Sequence, residues 1–153
     1  MLKLEGINIY LSVLEREHCQ SLWDDFEYDF MKRTEMLNIG HSKVKADGWF
    51  DEIQRDQGEK HIRLGIFTLD GEGVGDIALQ DLEWQNRACT IGIGISKLSN
   101  RMKGYSHEAL ELLLGYAFHH LGFEKISATT LEPNIGCQKL LEKSGFKLEG
   151  CER

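Results

Sequence analysis

The sequence places one long amphipathic helix between two strands, and this unit constrains the fold more than any other feature. The helix is predicted from Ser106 to Leu121, with strands from Arg87 to Ile95 and from Lys125 to Leu131. Four apolar side chains share one stripe of the helix: Leu110, Leu113, Ala117 and Leu121. A strand that returns to its own sheet through a helix runs parallel to the strand before it. The unit therefore predicts a parallel pair within the sheet.

Periodicity and turn signals predict the remaining elements. Further strands are expected at 7–11, 61–67, 74–82 and 146–150, and further helices at 14–30, 44–57 and 134–143. Asp70 and Gly71 form a strong hairpin signal, so the strands on either side should be antiparallel. The expected fold is a single α+β domain over residues 1–153, with a mixed, mostly antiparallel central sheet flanked by helices.

Composition and charge narrow the class of partner. The chain is 41% hydrophobic and 28% charged, and it has no apolar run of the roughly 18 to 20 residues that span a bilayer. A net charge of −7 argues against nucleic acid, because binding phosphates needs a basic surface. Residues 1–90 hold 10 Lys and Arg against 18 Asp and Glu. This acidic half could attract a cationic amine, but on charge alone an acidic surface that keeps the protein soluble is the more common explanation.

The cysteines and the first residues bear on the compartment. Four cysteines are scattered through the chain without a CxxC pair: Cys19, Cys89, Cys137 and Cys151. Such spacing is typical of thiols in a reducing compartment. The residues after Met1 do not follow a signal-peptide pattern. We therefore expect a cytoplasmic protein without a membrane partner.

The most informative segment combines a glycine-containing strand with a cationic loop. Gly92 and Gly94 lie two residues apart, a spacing that often marks a place where another molecule approaches the backbone. Arg101, Lys103 and Gly104 then precede the long helix, whose N-terminal amides can bind an anion. An open strand edge followed by an anion-binding loop suits an extended amide chain that ends in a pyrophosphate. Coenzyme A has this structure.

These residues resemble a known family. The motif Arg101-x-x-Gly104-x-Ser106 is similar to the pyrophosphate loop of GNAT N-acetyltransferases, and residues 103–110, 116–118 and 134–150 resemble the branch with ribosomal-protein N-terminal and spermidine acetyltransferases. The resemblance implies the GNAT fold and acetyl-CoA as the cofactor. It implies these cofactor-binding residues: Ile93, Gly94, Ile95, Arg101, Met102, Lys103, Gly104, Tyr105, Ser106 and Asn134. Two of them have simpler explanations, Gly104 as a turn residue and Asn134 as a helix N-cap.

The match to the family is incomplete at the catalytic positions. Thr90 occupies the place where the family often carries a glutamate base, so Asp81 and Glu83 are the nearest substitutes, unless they are plain hairpin-end carboxylates. Leu141 replaces a tyrosine acid of many relatives. Cys137 stands where the N-terminal acetyltransferase branch carries a serine, and its thiol could protonate the leaving sulfur or simply pack as a small apolar group.

The C-terminal segment also departs from the family. Relatives continue past it with a further strand beside the one predicted at 125–131. The resemblance therefore implies that the sheet closes without that strand or that a neighbouring chain covers the edge. We expect a homodimer or a strand exchange near residues 125–150.

The acceptor site is less well defined by the sequence. Tyr28, Trp49 and Trp84 lie in regions that line the acceptor cleft in relatives, although core packing explains each of them as well. No zinc motif is present, because His107-Glu108 is not followed by the second histidine of HExxH. The predicted function is transfer of acetyl from acetyl-CoA to a primary amine in a ternary complex, the amine being a protein N-terminus, a polyamine or a small cationic compound. The alternative is an acetyl-CoA-binding module with the GNAT fold and little or no catalysis, which acts as a sensor or a partner subunit.

Overall fold

The computed structural model describes residues 1–25, 42–96, 103–129 and 135–149, and within them six strands form one sheet. The strands follow each other across the sheet in chain order: β1 Lys3–Glu5, β2 Ile9–Ser12, β3 His61–Thr68, β4 Gly73–Glu83, β5 Ala88–Ile95 and β6 Lys125–Ser127. Every neighbouring pair is antiparallel except β5 and β6, which are parallel. The mixed, mostly antiparallel sheet and its crossover are therefore confirmed.

Four α-helices flank this sheet in the described ranges: α1 Arg16–Asp24, α2 Lys43–Asp56, α3 Tyr105–Tyr116 and α4 Ile135–Lys143. The Ser42 hydroxyl accepts the Val44 amide at 3.3 Å and caps α2. Helix α3 continues as a π-helical turn, Ala117–Leu121, and stops at Gly122, whose φ of 76° breaks the helix. The long helix predicted over 106–121 is thus an α-helix with a π-helical end.

The first strand and helix differ from the predicted bounds. The strand predicted from Ile7 begins at Ile9, because residues 6–9 form a turn in which the Gly6 amide donates to the Ile9 carbonyl at 2.9 Å. That turn pairs β1, which the sequence pattern missed, with β2. The helix predicted from Leu14 begins at Arg16, because Glu15 has an extended backbone and is the N-cap of the helix. Residues 26–30 of that predicted helix lie outside the described part.

The C-terminal strands are shorter than predicted. Strand β6 ends at Ser127, and residues 128 and 129 are not strand, whereas the pattern predicted a strand to Leu131. The strand predicted over 146–150 is absent from 146–149, where the described chain is irregular. A strand needs a hydrogen-bonded neighbour, and alternation in sequence cannot tell whether one is available.

The sheet separates two apolar clusters. The main core lies between the sheet and α3, and it contains Ile77 and Leu79 of β4 with Leu110 and Leu113 of α3. A smaller cluster lies on the other face with α1 and α2, and its members are Leu14, Cys19, Leu22, Ile53 and Phe67. Successive side chains of a strand point to opposite faces. The side chains of β4 and β5 that alternate with the main-core residues therefore face α1 and α2.

Within the described ranges, no helix combines the length and apolarity needed to cross a bilayer.

Candidate functional site

Strand β5 has an edge that β6 covers over only three residues. The parallel register runs from Ala88 opposite Lys125 to Thr90 opposite Ser127, after which β5 continues to Ile95. The Ser96 amide donates to the Val74 carbonyl at 3.0 Å on the β4 side. Because hydrogen-bonded pairs alternate along an antiparallel ladder, the backbone groups of Ile93 and Ile95 face away from β4. In the described chain, this stretch of backbone is open to an added extended partner.

Gly92 and Gly94 of β5 place no side chain of their own on the face of the sheet that is turned toward α1 and α2. Gly92 and Gly94 pair with Ala78 and Asp76 of β4, so all four positions face α1 and α2. A Cβ at Gly92 would lie 3.0 Å from the Gln80 amide oxygen, which occupies the space instead. We call the surface of Ala78, Gln80, Gly92 and Gly94 the glycine trough. Ala78 is buried at its base, and Gln80, Gly92 and Gly94 are half-buried.

The N-terminus of α3 has the geometry of an anion-binding site. Gly104 is its N-cap with a φ of 80°, a left-handed conformation that glycine adopts without strain. The Glu108 amide closes the first turn on the Gly104 carbonyl at 3.2 Å. No side chain of the N-cap blocks the first amides, those of Tyr105 and Ser106, which have no acceptor inside a helix. Lys103 lies exposed beside them.

The two candidate carboxylates have different environments. A bulge in β4 between Gln80 and Glu83 places Asp81 at a φ of 50°, and the Thr90 hydroxyl donates to the Asp81 carboxylate at 3.1 Å. Asp81 thus lies next to Thr90, the position where a base was expected. Glu83 is exposed and accepts a bond from the Asn86 side chain at 3.2 Å within the β4–β5 turn. Tertiary structure brings Asp81, and not Glu83, into contact with Thr90.

Cys137 is the third residue of α4 and is partly buried. Helix α4 packs against α3, and the His107 ring nitrogen lies 3.3 Å from the Ser144 hydroxyl just after α4. The thiol therefore lies on the helix that packs against α3, whose N-terminus is the candidate anion site. Arg101, Met102, Asn134 and Tyr28, also predicted for the site, lie outside the described residues.

The two predicted acceptor tryptophans lie in different clusters. Trp49 on α2 packs beside the smaller cluster, with its ring 5.9 Å from the Arg63 guanidinium carbon. Trp84 in the β4–β5 turn packs in a tilted arrangement against Phe123, a main-core residue, at 5.0 Å between ring centroids. The structure therefore does not bring these two aromatic rings together.

One pair of charged residues next to the trough was missed by the sequence reasoning. Arg63 Nη1 lies 2.5 Å from Asp76 Oδ2, and Asp76 pairs in register with Gly94. Burial raises the pKa of the Asp76 carboxyl above its usual value, while the charge of Arg63 opposes that shift. An aspartate inside the apolar strand Val74–Leu79 was the available signal, because a buried carboxylate needs a partner.

Comparisons with known proteins agree on one family. A family model described as acetyltransferase (GNAT) domain matches residues 11–147. The probable N-acetyltransferase YjcK of Bacillus subtilis strain 168 is 29% identical over 160 residues, an alignment that covers 98% of this chain and 86% of YjcK.

Solved structures share the fold over most of the chain. The ribosomal α-N-protein acetyltransferase RimL in complex with coenzyme A superposes with a TM-score of 0.86 at 16% identity, covering 98% of this chain and 86% of RimL. Spermidine N-acetyltransferase from Vibrio cholerae, solved with coenzyme A and spermine, gives a TM-score of 0.80 at 19% identity, covering 94% of this chain and 83% of that enzyme. At such identities, these two superpositions establish the common fold.

Proposed function

Because this chain belongs to the GNAT acetyltransferase family, as its motifs predicted, we propose that it transfers acetyl from acetyl-CoA to a primary amine by direct attack in a ternary complex. One observation carries this proposal. The backbone of β5 at Ile93 and Ile95 is left open by β6, and α3, whose N-terminus at Gly104 is the next described element after β5, packs against that strand. An extended amide arm with a pyrophosphate at its end matches both parts, and RimL and the Vibrio cholerae enzyme were both solved with coenzyme A.

The described residues fit acetyl-CoA in chemical type. Backbone groups of Ile93 and Ile95 can pair with the pantetheine amides as an added strand would. The amides of Tyr105 and Ser106 can hold the pyrophosphate, because the positive end of the helix dipole and the absence of a Gly104 side chain both favour an anion there. Arg101, Met102 and Asn134 remain predicted contributors. When bound, acetyl-CoA supplies the thioester carbon that the amine attacks.

The acceptor amine would lie along the glycine trough. Asp81 can hold the ammonium and take its proton, directly or through a water, because its carboxylate lies beside Thr90 at one end of the trough. Cys137 would supply a proton to the departing thiolate. Trp49 is a candidate wall of this cleft, whereas Trp84 and Glu83 have less support because their contacts lie in the β4–β5 turn and at Phe123.

Amine classes differ in how well they suit this surface. A polyamine or a protein N-terminus carries the positive charge that an acidic N-terminal half favours, and both classes appear among the substrates named for structural relatives. Small cationic amines have the same chemistry. Homodimer formation and a cytoplasmic location remain predictions from the sequence.

Calorimetric titration of acetyl-CoA, with desulfo-CoA and ATP for comparison, tests the cofactor site. We expect saturable binding that requires the pantetheine arm. Gly104→Ala should weaken it about tenfold, because a β-carbon is strained at that φ and enters the phosphate approach. Gly115→Ala is the matched control, since it lies on the same helix with no atom near the added methyl. Absence of binding at millimolar acetyl-CoA would refute the proposal.

An amine screen then tests catalysis. Spermidine, short peptides with free N-termini and small diamines are offered with acetyl-CoA, and free thiol is measured. Thiol release that depends on one amine class identifies the acceptor. Tight acetyl-CoA binding without release from any amine would identify the acetyl-CoA-binding module instead.

A further inference from the structure

Glu108, in the first turn of α3, is bound by the turn that joins β1 to β2. Its Oε2 accepts the backbone amides of Asn8 and Ile9, each at 3.0 Å, and its Oε1 accepts the Asn8 side-chain amide at 3.1 Å. These partners lie about 100 residues away in the chain. We call this arrangement the carboxylate clamp, formed by Glu108 with Gly6, Asn8 and Ile9.

Gly6 makes the clamp possible. Its amide donates to the Ile9 carbonyl at 2.9 Å and closes the turn around the carboxylate. A Cβ at Gly6 would overlap Glu108 Oε2. The turn is thus shaped so that several amide donors converge on one anion.

The position of Glu108 matters for the cofactor. A carboxylate in the first turn of a helix is stabilised by the helix dipole, but it lies one turn from the amides that would bind a pyrophosphate. An unrestrained side chain there could compete for the same amides and repel the phosphates. In the clamp, the carboxylate instead accepts hydrogen bonds from the β1–β2 turn.

The clamp also fixes where α3 begins. Helix α3 packs on β1, β2 and β5, and the proposed cofactor contacts come from β5 and from the helix N-terminus together. Hydrogen bonds to an ionised group are among the stronger ones in proteins. A helix end held in this way keeps Gly104 in register with the open edge of β5.

We propose that Glu108 is a positioning residue for the cofactor: it holds the α3 N-terminus and keeps its own charge away from the pyrophosphate. This inference rests on the proposed acetyl-CoA site. It predicts that loss of the clamp lowers the affinity for ligands that contact both β5 and the helix N-terminus. The affinity for a ligand that contacts β5 alone should stay nearly unchanged.

The test compares coenzyme A with S-acetylpantetheine, which lacks the pyrophosphate, in the full-length protein. Glu108→Gln should raise the Kd of coenzyme A about tenfold and should change the Kd of S-acetylpantetheine by less than about twofold. The same variant should raise the KM for acetyl-CoA and leave kcat within about twofold. Glu111→Gln is the matched control, because Glu111 is exposed one turn further along α3. Equal losses for both ligands, or no loss, would overturn the inference.

A double-mutant cycle tests the contact itself. Gly6→Ala alone should weaken the binding of coenzyme A, because the new methyl group displaces the Glu108 carboxylate. The same substitution should weaken binding less in a Glu108→Ala background, where that carboxylate is absent. Additive effects would refute the clamp. Thermal unfolding of each variant separates a folding defect from a binding defect. If the wild-type protein binds neither ligand, the proposed function fails along with this inference; if it binds coenzyme A and Glu108→Gln binds it equally, only the inference fails.

Discussion

Substitution of Asp81 by asparagine removes the proposed proton acceptor with little structural change. Asparagine tolerates the positive φ at this position, and its side-chain oxygen can still accept the Thr90 hydroxyl. Fold and cofactor binding should therefore persist. General bases contribute about 10²- to 10⁴-fold to a rate, and we expect the lower end because Asp81 is exposed. A loss of about 100-fold in kcat corresponds to about 2.7 kcal/mol of transition-state stabilisation.

The pH dependence distinguishes proton removal from a general electrostatic effect. An alkyl amine with a pKa near 10 is neutral in only about one molecule in a thousand at pH 7 but in about half at pH 10, whereas a protein N-terminus, with a pKa near 8, is half neutral at about pH 8. The deficit of Asp81→Asn should therefore shrink as pH rises, because the free amine no longer needs a base. Thiol release is measured from pH 7 to 10 at saturating acetyl-CoA, with the acceptor found in the screen.

The matched control for Asp81→Asn lies in the other hairpin. Asp70 also accepts a threonine hydroxyl, that of Thr68, in the β3–β4 turn. Asp70→Asn should leave the rate unchanged at every pH. A deficit of Asp81→Asn that stays constant with pH, or wild-type turnover in that variant, would refute the assignment of the base. A larger loss in Glu83→Gln than in Asp81→Asn would transfer the role to Glu83.

Two further predictions concern packing and thiol chemistry. Leu110→Ala truncates a fully buried main-core side chain and should lower the free energy of unfolding, measured in urea, by about 2 to 5 kcal/mol. Leu69→Ala, at an exposed turn, should change it by less than about 0.5 kcal/mol. Equal effects would contradict the core described for α3. Burial raises the pKa of Cys19 to about 12 and of Cys89 to about 11. Alkylation at pH 8, mapped by mass spectrometry, should therefore modify the partly buried Cys137 well before either of them. Faster labelling of Cys89 than of Cys137 would contradict the burial of Cys89.

The parts of the fold that were predictable depend on local physics. Asp70 and Gly71 indicated a hairpin because the dihedral angles of a tight turn suit these residues, and Gly71 indeed has a φ of 94°. The apolar stripe of α3 identified its buried face for a similar reason, since helical spacing alone decides which side chains share a face. The motif Arg101-x-x-Gly104-x-Ser106 likewise predicted that Gly104 lies at the N-terminus of the long helix.

The element ends were less predictable because they depend on neighbours. Strand β6 ends at Ser127 although alternation continues in the sequence, and residues 146–149 are not strand. Whether a strand extends depends on a partner edge for its amides and carbonyls. That partner is a property of the assembled sheet, not of the segment.

The candidate site shows the same division. The sequence alone identified the family and predicted an anion-binding loop and two possible bases, because motifs and glycine positions reflect local backbone requirements. It could not choose between Asp81 and Glu83, since the β4 bulge decides which carboxylate meets Thr90. Nor could it reveal that Glu108 of α3 contacts the β1–β2 turn, because the residues in contact are about 100 positions apart in the chain. Contacts of this kind arise only when separate elements pack, so tertiary structure alone decided them.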